Sequence, residues 1–297
     1  MSIDQKGQWL YIISSKKKLI DLNLQEIWRY RDLLILFVKR DIVTLYKQTV
    51  LGPLWYLIQP ILTSVIFTII FNGIANINVG DGIHPFLFNL AGISIWNYFS
   101  ECLKATSDTF KKNEQIFNKV YFPRVIMPMS KVVSGLLKFG IQGLIFLGFY
   151  LYFSFSNLSG ELNGKALLFF PILVAIMGLL GLAFGMVISS MTTKYRDLTF
   201  LVGFGTQLLM YLSAVVYPTD IAISKLSNNF PGAARIINPV IENNPLAKVV
   251  ESFRYMFFSQ GSFSIKSIMI TFVLSVVLFL IGLIIFNKTE KSFVDTI

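Results

Sequence analysis

Residues 40–60 read RDIVTLYKQTVLGPLWYLIQP, and the composition changes at the Leu-Gly-Pro triplet in the centre of this stretch. The first half is charged, whereas the residues after the triplet stay apolar as far as about residue 76. An apolar run of roughly 20 residues is long enough for one helix to cross the hydrocarbon of a bilayer. The stretch therefore predicts a polar segment that runs into a membrane span. The hinge between them is predicted to consist of Leu51, Gly52 and Pro53.

The composition of the whole chain indicates a polytopic membrane protein. Of its 297 residues, 54% are hydrophobic and only 14% are charged, whereas a soluble domain has about 25% charged residues. The net charge is +10, but the basic residues fall between apolar runs, so nucleic-acid binding is not predicted. One cysteine and one histidine cannot form an intrachain disulfide or a His/Cys metal site, so no metal is expected.

Six apolar segments are long enough to span a membrane, so the predicted fold is an all-α polytopic membrane protein. The predicted spans are about 53–76, 85–104, 132–155, 166–190, 198–217 and 267–286. The second is unusually polar. The predicted organisation is a cytoplasmic segment over 1–52, a six-helix transmembrane domain over 53–290 and a cytoplasmic tail over 291–297.

The basic residues also predict the orientation of the chain. Nine Lys and Arg residues lie in 1–52 and six in 104–131, whereas the loop 77–84 has none. Because loops rich in Lys and Arg stay in the cytoplasm, both termini are expected there. The segment 218–264, with four basic residues, is an exception on the predicted outer side, although long loops follow the rule less strictly.

Two segments outside the predicted spans have helical periodicity. Over 24–48, apolar residues recur every three or four positions, which predicts an amphipathic helix in the membrane interface; a solvated helix packed on another protein domain is the alternative. On the outer side, Asn244 and Pro245 suit the start of a short helix, in which Glu251 and Arg254 could pair. A folded extracellular loop is the alternative there. The apolar positions of the first segment are Leu24, Ile27, Trp28, Leu34, Val38, Ile42, Leu45 and Tyr46.

Few residues could support catalysis or nucleotide binding. The string nearest to a phosphate-binding loop is GELNGKA at 160–166, which lacks the required glycine spacing and hydroxyl residue. Near the spans, Glu101 and Lys104 are expected to form a local pair, and His84 is expected to be a loop residue. Lys138 either extends to the cytoplasmic face or faces a wet interior. The chain is therefore expected not to be an enzyme.

Aromatic residues make up 15% of the chain. Their rings could line a channel for a polysaccharide, because the C–H faces of sugars stack on aromatic rings; helix packing or lipid contact is the alternative. The deeper set is Phe67, Phe71, Trp96, Tyr98, Phe99, Phe204 and Tyr211, and all except Phe204 are candidate pore-lining residues.

Four stretches together resemble the transmembrane permease subunit of ABC transporters that export polysaccharides, the Wzm, KpsM and TarG type. They are RDIVTLYKQTVLGPLW at 40–55, NEQIFNKVYFPRVIMP at 113–128, RDL at 196–198 and NPLAKVVESFRYMFF at 244–258. The resemblance covers nearly the whole chain. The resemblance rests on the combination of the four motifs.

The resemblance implies a homodimer in the bacterial inner membrane with two cytoplasmic ATP-binding-cassette subunits, which bind the ATP. It also implies export of an undecaprenyl-diphosphate-linked glycan, with an interface helix at about 24–48 and short outer helices within 218–258. The implied ATPase-coupling residues are Asn113, Glu114, Gln115, Ile116, Phe117, Asn118 and Lys119. The alternatives are a permease for a drug or small lipid, a lipid-linked sugar transferase and a passive channel.

Basic residues on the predicted cytoplasmic side could contact the diphosphate of such a substrate, since Arg and Lys suit phosphate. The candidates are Arg40, Lys47 and Arg124. Membrane topology and contact with anionic lipids are the alternative explanation for these charges.

Overall fold

The computed structural model describes residues 28–47, 52–117, 119–120, 122–195 and 197–295. The predictions for Leu24, Ile27, Leu51 and Asn118 therefore lie outside the described residues. Within the described part the chain is helical, and the only β contact is an isolated bridge between Ile83 and Ser159. The all-α prediction is confirmed for this part of the chain.

The helices follow one another with short connections. Their bounds are α1 Arg31–Lys47, α2 Trp55–Phe67, α3 Pro85–Ser107, α4 Thr109–Phe117, α5 Ile126–Ser154, α6 Gly164–Leu167, α7 Phe170–Thr192, α8 Leu198–Leu212, α9 Thr219–Asn229, α10 Pro231–Asn243, α11 Pro245–Phe258 and α12 Ile265–Asp295. A π-helix over Thr68–Ile74 continues α2.

Four helical segments are long and apolar enough to cross a membrane. They are Trp55–Ile74, Ile126–Ser154, Phe170–Thr192 and Ile265–Thr289. The other two predicted spans differ from these. Helix α3 has 23 residues but is more polar, and α8 has only 15. The structure thus supports four candidate spans, and the six-span count remains a prediction.

The polarity of α3 is explained by its position at the centre of the fold. Both α5 and α7 pack on it, and most of its residues are buried. Glycines on α7 allow the close approach: a Cβ at Gly181 would lie 2.6 Å from the Cβ of Cys102 and 3.0 Å from the Phe99 carbonyl oxygen. Because protein surrounds α3, its polar side chains are kept away from lipid.

Three helices, α9 to α11, occupy the segment between α8 and the last span. The predicted helix start at Asn244 is confirmed, because the Asn244 side-chain oxygen accepts a hydrogen bond from the Leu246 amide at 2.9 Å. Pro245 occupies the first helical position. Helix α11 is largely buried and packs on α3 and α7, so it belongs to the helical core.

Candidate functional site

An ion pair attaches α1 to the beginning of α5. The Asp41 carboxylate lies 2.6 Å from the Lys131 ammonium and 3.0 Å from the Arg40 guanidinium. The Asp41 and Lys131 side chains are largely buried. Such shielding makes the attraction stronger than that of a surface pair. Helix α1 is therefore fastened to a helix that is long enough to cross the membrane.

A cluster of phenylalanines joins α1, α4 and the end of α12. We call it the Phe37 cluster, and it consists of Phe37, Phe110, Phe117, Phe122 and Phe286. The ring centroids of Phe37 and Phe122 are 5.7 Å apart, and those of Phe110 and Phe286 are 4.6 Å apart. Sequence spacing does not predict this cluster, because Phe37 and Phe286 lie far along the chain from the other three members.

The predicted ATPase-coupling residues fall on two faces of α4 and the turn after it. Asn113 and Phe117 are buried, and the Asn113 amide donates a hydrogen bond to the Thr109 carbonyl at 2.8 Å. Gln115 and Lys119 are exposed, and Ile116 is half-buried. Glu114 lies in the helix, but its side chain is not among those described. The Gln115 face of α4 is therefore accessible, whereas Phe117 packs within the Phe37 cluster.

Two of the three candidate diphosphate contacts lie at the Phe37 cluster. The Arg40 guanidinium lies 4.9 Å from the centroid of Phe37, and that of Arg124 lies 5.2 Å from the centroid of Phe117. Arg124 is buried, whereas Lys47 is exposed at the end of α1. Both arginines take part in cation–π packing, so a role toward phosphate remains a prediction.

The backbone at the predicted hinge adopts a conformation that favours glycine and that few other residues tolerate. Gly52 has φ of 47°, in the left-handed region, and it begins a single 3-10 turn over Gly52–Leu54. A side chain at this φ meets steric conflict with the backbone. The chain therefore changes direction here before α2 begins at Trp55. Movement of the chain about this turn remains a prediction.

The candidate pore-lining aromatics occupy different environments. Trp96, Tyr98 and Phe99 are buried inside this chain, where they pack between α3 and its neighbours. Phe67 and Phe71 are half-buried with an edge-to-face contact at 5.7 Å, and Tyr211 is 37% exposed. Of the six, Phe67, Phe71 and Tyr211 thus present surface outside the core.

Polar contacts connect α3 with the helices on either side. The Lys138 ammonium donates to the Glu101 carboxylate and lies 5.1 Å from the Tyr56 ring centroid. The predicted local pair of Glu101 with Lys104 is therefore wrong. Lys138 on α5 reaches Glu101 because α3 and α5 pack together.

In its N-terminal half, α3 contributes a second polar contact. The buried Asn89 side chain donates hydrogen bonds to the Thr68 hydroxyl at 3.1 Å and to the Asn72 side-chain oxygen at 3.0 Å. Both acceptors lie in the π-helical segment after α2. Asn89 thus ties that irregular segment to the central helix.

His84 has a structural role at the start of α3. Its Nδ1 accepts a hydrogen bond from the Phe86 amide at 3.3 Å, and its ring stacks on Phe153 with a centroid distance of 4.3 Å. Burial lowers the pKa of His84, because desolvation disfavours the charged imidazolium. The neutral ring can then accept the capping hydrogen bond.

Glu251 and Arg254 on α11 do not form the predicted pair. Glu251 accepts hydrogen bonds from the Ser262 amide at 3.1 Å and the Thr219 hydroxyl at 3.4 Å. Arg254 instead donates to backbone carbonyls after α8. Backbone carbonyls in the turn after α8 are the acceptors for this buried guanidinium, and the spacing of Glu251 and Arg254 in the sequence does not predict them.

Long apolar helices around a largely apolar core, with no strand among the described residues, define a helical membrane protein. The chain belongs to the ABC-2 type transporter family, whose sequence profile matches residues 32–228. It is therefore a transmembrane subunit of an ABC transporter.

Three relatives match over almost their entire lengths. The chain is 26% identical over 264 residues to a Klebsiella pneumoniae protein named O-antigen export system permease protein RfbA, covering 89% of this chain and 94% of the relative. A second protein of that name and organism is 25% identical over the same coverage. One from Myxococcus xanthus is 25% identical over 274 residues, with 92% and 98% covered.

Proposed function

We propose that this chain is the permease subunit that exports a lipid-linked polysaccharide of the O-antigen, capsule or teichoic-acid type across the bacterial inner membrane. The observation that carries the proposal is the match to proteins named O-antigen export permeases, which extends over 89% or more of the chain. Such coverage is wider than the part matched by the family profile, which is residues 32–228. The proposed cargo is an undecaprenyl-diphosphate-linked glycan.

The proposed energy source is a pair of separate ATPase subunits that dock at α4. The exposed side chains Lys111, Lys112 and Gln115 offer a polar contact surface, while Phe117 on the opposite side contacts the Phe37 cluster. Displacement of α4 would therefore reach α1 and α12 through packed rings. In this arrangement both termini are cytoplasmic, and α1 lies in the inner membrane interface.

The proposed transporter contains two copies of this chain, each with six spans that include α3 and α8. Support comes from two helices with little cover within one chain. Only 11% of the most apolar 18-residue stretch of Trp55–Ile74 is buried inside this chain, and α8 exposes large apolar side chains. Those residues are Phe200, Leu201, Phe204 and Leu208. A second copy packed on these faces would place Phe67, Phe71 and Tyr211 near a shared conduit.

Complementation tests the proposed cargo. In a strain that lacks this gene, surface glycan should be lost and lipid-linked glycan should accumulate inside the cell, and the intact gene should restore export. The matched control co-expresses the gene with a partner ATPase whose catalytic glutamate is replaced. Normal surface glycan in the deletion strain, or export with the inactive ATPase, would contradict the proposal. Restored efflux of a drug without restored glycan would favour the alternative of a drug exporter.

A further inference from the structure

The outer end of α8 presents a problem of backbone chemistry. With 15 residues, α8 is about 22 Å long at 1.5 Å per residue, which is shorter than the roughly 30 Å of hydrocarbon. The last four carbonyls of a helix have no partner within it, and an unsatisfied carbonyl inside a membrane costs several kcal/mol. After α8 the chain is not helical, and Ala214 has φ of 52° in the left-handed region.

Two side chains donate hydrogen bonds to the backbone at and after the end of α8: Arg254 of α11 and Asn244, the N-cap of α11. Arg254 donates hydrogen bonds to the carbonyls of Ala214 at 2.8 Å and Tyr217 at 3.4 Å, and also to that of Val215. The side-chain amide of Asn244 donates a hydrogen bond to the Leu212 carbonyl at 3.1 Å. The carbonyl of Leu212, the last residue of α8, and three carbonyls in the turn after the helix therefore have side-chain partners in Arg254 of α11 and in Asn244, the N-cap of α11.

The same guanidinium also contacts α3. It lies 3.7 Å from the centroid of the Phe88 ring, a close cation–π contact. A Cβ at Gly92 would lie 2.3 Å from an Arg254 terminal nitrogen and 2.4 Å from the Val215 carbonyl oxygen. The absence of a side chain at Gly92 thus gives the guanidinium its space. Arg254 itself is only 4% exposed.

We infer that Arg254 and Asn244 act as a substitute C-cap, which fastens the outer end of α8 to α11 and holds both against α3. We call this arrangement the Arg254 clamp. A buried guanidinium is retained here because removing it would strand carbonyls without partners. Arg254 is a positioning residue: it makes the end of α8 and helix α11 one rigid body, and that body stays closed while ATP is hydrolysed. The inference concerns the outer face and does not depend on which cargo is exported.

Cysteine labelling of Val216 tests the clamp. Val216 is fully buried and lies between Val215 and Tyr217, whose carbonyls Arg254 binds; the native Cys102 is also fully buried, so the natural chain provides the background. The assembled transporter in lipid nanodiscs would carry Val216→Cys and be treated with a membrane-impermeant maleimide. In Arg254→Met we expect labelling at least about tenfold faster, because losing buried charged hydrogen bonds favours local opening.

The matched control is Arg235→Met, since Arg235 is an exposed arginine in the same outer segment. It removes the same charge and should leave Val216→Cys protected. Exposed Asp220→Cys reports that the reagent reaches this face. Equal labelling rates in the Arg254→Met and Arg235→Met variants would overturn the inference.

Two measurements remain decisive even if Arg254→Met fails to assemble. Arg254→Lys keeps the charge but not the planar fork of donors, so its labelling rate should lie between those of the natural chain and a freely accessible cysteine. A rate equal to that of the natural chain would contradict the role of the fork. With Arg254 intact, Val216→Cys should stay protected during ATP turnover. Labelling that appears only during turnover would show that the clamp opens and would refute the rigid body.

Discussion

The ion pair between α1 and α5 allows a quantitative test of how the first helix is attached. Asp41 accepts from both Lys131 and Arg40, and the side chains of the Asp41–Lys131 pair are only 15% and 20% exposed. Lys131→Met leaves Asp41 with Arg40 as a partner, so the loss should be about 1 kcal/mol. Asp41→Asn leaves two cations without their carboxylate and should cost about 2 kcal/mol.

A double-mutant cycle isolates the interaction energy between Asp41 and Lys131 from the other effects of each substitution. We expect a coupling energy of about 1 kcal/mol between Asp41→Asn and Lys131→Met in the free energy of unfolding, measured by denaturant titration of the purified transporter. The matched control is Asp32→Asn, because Asp32 lies in the same helix, 3.9 Å from Arg31 in an exposed pair. Its effect should stay within about 0.5 kcal/mol.

The corresponding functional measurement on the same variants is the amount of glycan exported for each ATP hydrolysed. If α1 must move with α5, Asp41→Asn should lower this ratio while ATPase activity continues. A coupling energy near zero, or an Asp32→Asn variant that behaves like Asp41→Asn, would refute the argument that this ion pair fastens α1.

Three further predictions concern separate parts of the chain. Gly52→Val should lower glycan export per ATP, because a β-branched residue at positive φ costs on the order of 1–3 kcal/mol; Gly52→Asn, which tolerates this φ, should retain export, and equal export by both variants would argue against the hinge. Gly181→Ala should lower the thermal midpoint, since its Cβ would lie 2.6 Å from that of Cys102, whereas Gly143→Ala meets open space and should not; equal shifts would be inconsistent with tight α3–α7 packing. The pKa of His84 is lowered by burial, so its stabilising contribution is complete above about pH 6.5 and is lost as pH falls through the lowered pKa. His84→Asn keeps a cap that does not titrate and should weaken the loss of thermal stability between about pH 7 and pH 5; an unchanged pH profile would remove His84 from this role.

The sequence by itself was sufficient for the helical class and for much of the helix order. Apolar runs of about 20 residues predict membrane helices because the free energy of moving a segment from water to lipid is roughly the sum of contributions from its own side chains. Local rules also located the helix that begins at Asn244 and Pro245 and the turn at Gly52. These features depend on residues close together in the chain, so periodicity and capping preferences are enough to predict them.

Only the tertiary structure decided which distant residues meet. Glu101 pairs with Lys138 rather than with nearby Lys104, and Arg254 binds carbonyls after α8 rather than Glu251. The partner of Glu101 lies on another helix and those of Arg254 lie in the turn after another helix, so both choices follow from which segments the packing brings together. Helix rotation and packing are collective properties of the whole bundle. The aromatic residues therefore could be counted in the sequence, but their division between core and surface required the fold.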